Sequence, residues 1–279
     1  MRKETSSETI LRSITRKYRT SIYSRFLAAI NKYKLIEEND SICVCISGGK
    51  DSMLLAECLR LLKSNSNINF NVKYIVMNPG YTKKNIDLIK SNLKKLNLDA
   101  EIIDTDIFEI AYKQNKSPCY LCARMRRGAL YRLAQDRGCN KIALGHHYDD
   151  VIETTLMNIL YSGSIQTMLP KLHSDNFKNM ELIRPLYFVR EESIISWAEN
   201  NNLKFLNCAC KFTEENYSNS YHTDSKRLFT KRLIKELSKD YDVDKNIFSA
   251  TSNVILDKVL EYKKGREMHS FLDEYDKYK

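Results

Sequence analysis

No apolar run in this 279-residue chain approaches the roughly 18 residues that a membrane-spanning helix needs. The amino-terminal stretch MRKETSSETILRS also lacks the apolar centre of a secretion leader. Nothing reads G-x-G-x-x-G, which excludes the dinucleotide-binding turn. A Walker A loop is excluded too: Val44 stands where its first glycine belongs, and Asp51 stands where Ser or Thr should follow the lysine. There is no internal repeat and no low-complexity tract long enough to stay unfolded. These absences make a cytoplasmic protein without membrane partners the expectation. In that compartment its eight cysteines are core, metal or redox residues rather than disulfides.

What is present is first an uneven charge. The net charge is +10, and residues 1–34 alone contribute +7 through nine Lys or Arg against Glu4 and Glu8. Ile10, Ile14, Tyr18, Ile22 and Phe26 lie four apart, so one apolar stripe faces the protein while Arg12, Arg16 and Arg19 fan outward. A basic helical arm over residues 1–40 points to a phosphate backbone as partner, with a merely solvated cationic face as the bland alternative.

The chain beyond the arm alternates strand and helix. Apolar runs at 42–46, 71–77, 100–104, 141–145 and 182–183 read as strands, with helical spacing between them. The pattern predicts a doubly wound, mostly parallel, five-stranded α/β sheet over 41–206 and a helical extension over 207–279. Directly after the first strand comes Ser47-Gly48-Gly49-Lys50-Asp51-Ser52, followed at once by helical Met53-Leu54-Leu55. Unpaired amides at a helix start make an anion pocket, two glycines admit a phosphate closely, and Lys50 and two serines add donors. The hexapeptide resembles the PP-loop of the ATP pyrophosphatases, which split ATP into AMP and pyrophosphate while activating a substrate oxygen. Gly145-His146-His147 falls at another strand end, on the same edge of the predicted sheet. The two histidines should point apart, as neighbours on an extended segment do.

Four cysteines stand out. Cys119 and Cys122 lie three apart at a helix start, and Cys208 and Cys210 follow a strand. Spacing alone leaves three readings: a closed zinc site of four thiolates, a redox pair at Cys119 and Cys122, or an iron–sulfur cluster with three protein ligands.

The order of motifs narrows this. SGGKDS at 47–52, CYLCARMRRGALYRLA at 119–134, KIALGHHYDD at 141–150 and IRPL at 183–186, followed by a cysteine pair, is closely similar to the TtcA family. Those are ATP-consuming tRNA-thiolating sulfurtransferases that make 2-thiocytidine at position 32 of tRNA. The resemblance implies a PP-loop pyrophosphatase fold and an ATP site at Ser47, Gly48, Gly49, Lys50, Asp51, Ser52 and Gly145. It implies a 4Fe-4S cluster on Cys119, Cys122 and Cys210, with Cys208 as the alternative third ligand, because the family often has Cys-x-x-Cys where this chain has Cys-x-Cys. Magnesium would sit on Asp51 or Asp150. Asp150 and Arg126 take catalytic roles by the same likeness, although Asp at a helix start is also an ordinary cap. Arg124 and Arg127 would touch tRNA phosphates. A sulfur donor such as a cysteine desulfurase is the further partner implied, and a homodimer is a compatible assembly. The nearest rivals are a 2-thiouridine synthetase of the TtuA type and a lysidine-like PP-loop ligase with a structural zinc.

Overall fold

The computed structural model describes residues 6–113, 118–206 and 226–275; for Tyr112, Pro118, Cys119 and Glu274 it describes the backbone alone. Strand β1 (Ser41–Ile46) carries the run Ile42-Cys43-Val44-Cys45-Ile46, and all five side chains are buried. An unbroken apolar run of this kind suits a strand covered on both faces. It pairs in parallel with β2 (Asn71–Asn78) on one side and β4 (Lys141–Ala143) on the other. β3 (Glu101–Asp104) extends the sheet beyond β2, and β6 (Glu181–Ile183) extends it beyond β4, both in parallel.

One further strand was not anticipated. β5 (Lys171–His173) pairs antiparallel with β6 and makes the sheet six-stranded, in the order β3-β2-β1-β4-β6-β5. The expected count of five is corrected by this short edge hairpin. Three residues with one outward-facing leucine carry too little apolar pattern to announce a strand. The chain leaves β1 toward β2 and β3, then crosses back to β4 on the other side. The gap between the carboxyl ends of β1 and β4 is therefore the topological switch point, where such sheets bind ligands.

Helices cover the sheet: α3 (Lys50–Asn65), α4 (Lys83–Leu96), α5 (Ile107–Tyr112), α6 (Pro118–Asp136), α7 (Tyr148–Ser162) and α8 (Glu191–Asn200). α3 is buried nearly all round, from Ser52 through Leu59. Cys43, Cys45, Cys58 and Cys139 are all buried in the core. Ahead of the sheet stand α1 (Ser6–Thr15), a π-helical turn at Arg19–Tyr23 and α2 (Ser24–Tyr33). The arm's stripe of Ile10, Ile14, Tyr18, Ile22 and Phe26 is buried throughout. A stripe of period four drifts by about 40° per step on an α-helix. The wider π turn takes up that drift midway.

The chain forms two compact units, Met1–Val151 with Met168–Ser225, and Ile152–Thr167 with Lys226–Lys279. The second holds helices Lys226–Leu237 and Val243–Ala250 and an antiparallel hairpin, Glu261–Lys264 with Glu267–Ser270, that the polar sequence did not reveal. Within it Arg227 Nε donates to Glu153 Oε2 at 2.9 Å, and the Lys226 ammonium lies 4.9 Å from the Tyr161 ring centre. The Ser/Asn/Tyr-rich stretch at 216–222 lies outside the described residues. No helix among the described residues is long and apolar enough to cross a membrane.

Candidate active site

The turn between β1 and α3 has the geometry its residues require. Gly48 sits at φ +86°, where an L side chain is strained, and a Cβ there would come within 2.8 Å of Ile89 and 2.9 Å of Leu206. Gly49 is the N-cap of α3 in extended backbone, so the amides of Lys50, Asp51 and Ser52 open the first helical turn without intrahelical acceptors. Ser52 is buried and braces the loop from inside. Its hydroxyl accepts from Ser47 N at 3.1 Å, meets Ser47 Oγ at 3.1 Å and donates to Gly49 O at 3.0 Å. Ser52 therefore shapes the cradle, while Ser47 is exposed at its mouth. Leu206 N donates to Gly48 O at 3.2 Å, tying the loop to the segment after α8.

Charge is concentrated beside the loop. Lys50 Nζ lies 3.2 Å from Asp51 Oδ1 and 3.1 Å from Glu191 Oε1, at the start of α8. Burial opposes the Lys50 charge, but Asp51 and then Glu191 outweigh it and leave its pKa above the usual lysine value. His147 is buried among three carboxylates, with Nε2 3.8 Å from Asp51 and 3.5 Å from Asp150, and Nδ1 3.7 Å from Asp149. His146 turns the other way, its Nδ1 accepting from Arg184 Nε at 3.4 Å, so the two rings do point apart. Asp149 ties the α8 start to α7, accepting from Glu191 N at 2.7 Å and pairing with Arg190 at 3.3 Å. Asp150 Oδ2 accepts from His147 N at 2.9 Å. That is the back-bond from the third helical residue to its N-cap, so Asp150 caps α7 whatever else it does. Gly145 matters through close packing: a Cβ there would lie 2.9 Å from Asp51 C and Ser52 N. The switch-point turns of β1 and β4 thus touch backbone to backbone.

A cavity of about 690 Å³ opens over this turn. Such a volume falls within the roughly 300–1,000 Å³ of small-molecule sites. Its polar lining includes Ser47, Gly49, Lys50, Asp51, Glu191 and Glu199; its apolar lining includes Tyr81, Phe108, Ile195, Leu203, Phe205 and Leu206. Arg126 from α6 lines the same cavity. Cys122, half-buried, precedes Arg126 by four residues, hence on the same face of α6. Cys119 begins the same helix with its side chain outside the described residues, as Cys208 and Cys210 are altogether. Arg124 and Arg127 are exposed along a different groove. Arg12, Arg16 and Arg19 are exposed on the arm.

Sequence reasoning missed Glu191 and the aromatic wall of Tyr81 and Phe108. An acidic first turn after Arg184-Pro185 was the only hint of Glu191. Nothing in the pattern joins Phe108 to the loop, because its place there depends on the crossover from β3. Two carboxylates beside an anion cradle, Asp51 and Glu191, suit a magnesium ion shared with phosphate oxygens. Among the described residues no group of three or more His, Cys, Asp or Glu could hold a metal unaided.

Comparison with known proteins accounts for this arrangement. Residues 18–227 match the PP-loop domain family. The chain is 38% identical over 251 residues to a tRNA-cytidine(32) 2-sulfurtransferase of Geotalea uraniireducens, covering 87% of this chain and 96% of that one. A tRNA-cytidine(32) 2-sulfurtransferase of Aeromonas salmonicida is 35% identical, over 84% of this chain and 76% of the relative. Among solved structures, the U34-tRNA thiolase NcsA of Methanococcus maripaludis, determined with its [4Fe-4S] cluster, shares the fold at TM-score 0.62 and 20% identity, covering 89% of this chain and 81% of its own. The glycine turn at the switch point, the carboxylates around it and the likeness along most of its length agree: the chain belongs to the PP-loop domain family, alongside the tRNA-cytidine(32) 2-sulfurtransferases.

Proposed function

We propose that this protein replaces the C2 oxygen of cytidine 32 in tRNA with sulfur, consuming ATP. The observation that carries the reading is the shared cavity: Ser47, Gly49, Lys50 and Asp51 line it together with Arg126, one helical turn beyond Cys122. Nucleotide phosphates are anions and belong on the α3 amides and Lys50. The apolar flank of Ile195, Leu203 and Phe205 suits a purine ring. The α-phosphorus is then left facing the open side.

The C2 carbonyl of a pyrimidine is a poor electrophile, and oxide is a poor leaving group. Attack of that oxygen on the α-phosphorus forms the O–P bond, breaks the α–β bridge and releases pyrophosphate. A sulfide equivalent then adds at C2 and AMP leaves with the oxygen. Lys50 neutralises the departing pyrophosphate, and Asp51 would hold a magnesium ion, which would supply further charge neutralisation. Arg126, a permanent cation, steadies the charge on the AMP oxygens but cannot serve as a base. Asp150 acts through the α7 start, holding His147 against Asp51. Cys119, Cys122 and Cys210 (or Cys208) would hold a 4Fe-4S cluster, which supplies an open iron for sulfur delivery. The Cys122 position fits, half-buried and one turn from the cavity. Leu206, bonded to Gly48, precedes Cys208 by two residues, a reach of about 7 Å at most. A cytoplasmic cysteine desulfurase is the fitting sulfur source, and a homodimer the fitting assembly.

The test is anaerobic purification with iron, sulfide and zinc analysis, then mass spectrometry of nucleosides after incubation with tRNA, ATP and sulfide. Iron and sulfide near four per chain with 2-thiocytidine as product are expected, on the stoichiometry of such clusters. A colourless, zinc-loaded protein with no thiolated product overturns the reading. Thiolated uridine overturns the substrate while keeping the chemistry.

A further inference from the structure

α6 presents two faces. At about 100° per residue, Tyr120, Arg124, Arg127 and Tyr131 fall within about 60° of arc, and Cys122 and Arg126 lie nearly opposite them. The face of Tyr120, Arg124, Arg127 and Tyr131 closes a separate groove of about 550 Å³ with the β5–β6 hairpin, whose His173 and Phe177 form the other wall. Its floor is a ring stack: the Tyr131 and Phe177 rings lie 5.0 Å apart at 10°. Its rim is open to solvent. Tyr120 is 71% exposed, and the His173 side chain is 85% exposed, its Nε2 3.4 Å from Glu181. Arg124 and Arg127 are exposed and make no ion pair among the described residues; Asp175 is the one carboxylate in the groove's lining.

We infer that this groove is a binding site for an RNA strand, holding a nucleotide next to the one that enters the ATP cavity. Exposed aromatic faces beside unneutralised guanidinium groups are what a single-stranded backbone with splayed bases requires: a base on Tyr120, phosphates on Arg124 and Arg127. An acidic or apolar protein partner would use the cations or the rings but not both in alternation. Tyr120 stands between Cys119 and Cys122, so a base held there flanks the sulfur-delivery face by the width of one helix. The inference rests on tRNA being the substrate, not on which pyrimidine is thiolated.

The experiment measures binding of full-length tRNA and of its anticodon stem–loop to the intact protein across a salt series. Arg124→Ala/Arg127→Ala is expected to weaken both RNAs at least ten-fold and to reduce the slope of log affinity against log salt by about 1.5, since each phosphate contact contributes about 0.7 to 0.9. Tyr120→Ala should weaken binding about ten-fold through lost stacking. Tyr120→Phe, which keeps the ring, should restore it. His173→Ala tests the opposite wall, away from the cysteine helix, and should weaken binding without changing iron content. Wild-type affinity and slope in the double variant, or Phe no better than Ala at 120, overturns the groove. So does a double variant that binds tRNA normally but accepts sulfur poorly from a cysteine desulfurase, which would make the face a protein site. If wild-type protein thiolates uridine while the variants lose tRNA affinity, the cytidine reading fails and the groove stands.

Discussion

Gly145 and Glu57 show how far single residues can be read. The family resemblance placed Gly145 with the ATP-binding residues. The structure supplies a different reason, namely that its missing Cβ lets β4 approach the first turn of α3. Gly145→Ala forces that turn outward. It is expected to cost about 1–3 kcal/mol of stability, as overpacking does, and to raise the KM for ATP. Thermal unfolding and ATP kinetics check the two effects separately. Glu57 could not be read at all. In the run MLLAECLRLL it looks like the solvent side of an amphipathic helix, yet it is fully buried against Arg60, whose guanidinium donates at 2.6 Å. Burial pushes its carboxyl up to about 7, against the pull of Arg60. The folded state thus holds a proton that the unfolded chain releases near 4.5, so stability falls as pH rises between these values. Glu57→Gln removes the titration. Its unfolding free energy should gain on wild type between about pH 4.5 and pH 7 and stay ahead by a constant amount above, up to about 3 kcal/mol at about 1.36 kcal/mol per unit.

At the scale of elements, long periodic segments were legible and short or sheltered ones were not. β1, β2 and the helix after SGGKDS follow from apolar runs and a glycine turn, which are local signals. β5 and the hairpin at 261–270 each span three or four residues with mostly exposed side chains, so pairing with a neighbour rather than pattern creates them. The arm was legible as a stripe on a helix, but the π turn at Arg19–Tyr23, which takes up the drift of a four-residue spacing, was not anticipated. The apolar stripe is spent on packing, while Arg12, Arg16 and Arg19 lie exposed on the arm. Replacing the three with Ala should reduce the salt slope of tRNA binding by about 2 to 3 and leave the unfolding temperature nearly unchanged. An unaltered slope removes the arm from the interface.

For the whole molecule, the sheet order does what no single motif can. SGGKDS and Gly145-His146-His147 are about a hundred residues apart, and only the β1–β4 adjacency brings them into contact. Strand–helix alternation was enough to expect that edge of the sheet to be the active one. It was not enough to expect Glu191 holding Lys50, or a lysine at 141 buried between Asp40 at 2.8 Å and Glu181 at 3.2 Å, since both depend on crossovers whose ends meet only in three dimensions. On the proposed reading, Lys50→Ala should abolish pyrophosphate release while leaving iron content at the wild-type level, because Lys50 sits in the glycine turn of the cavity and not on the cysteine helix. Equal loss of both would mean that the substitution collapses the cavity as a whole.

The amide of Leu206 is fastened to the carbonyl of Gly48, two residues before the chain reaches Cys208. If those thiolates hold the proposed cluster, a displacement of the glycine turn on filling would reach them through this tie. Thermodynamic reciprocity then makes the coupling run both ways: by whatever factor ATP alters the retention of iron, iron alters the retention of ATP.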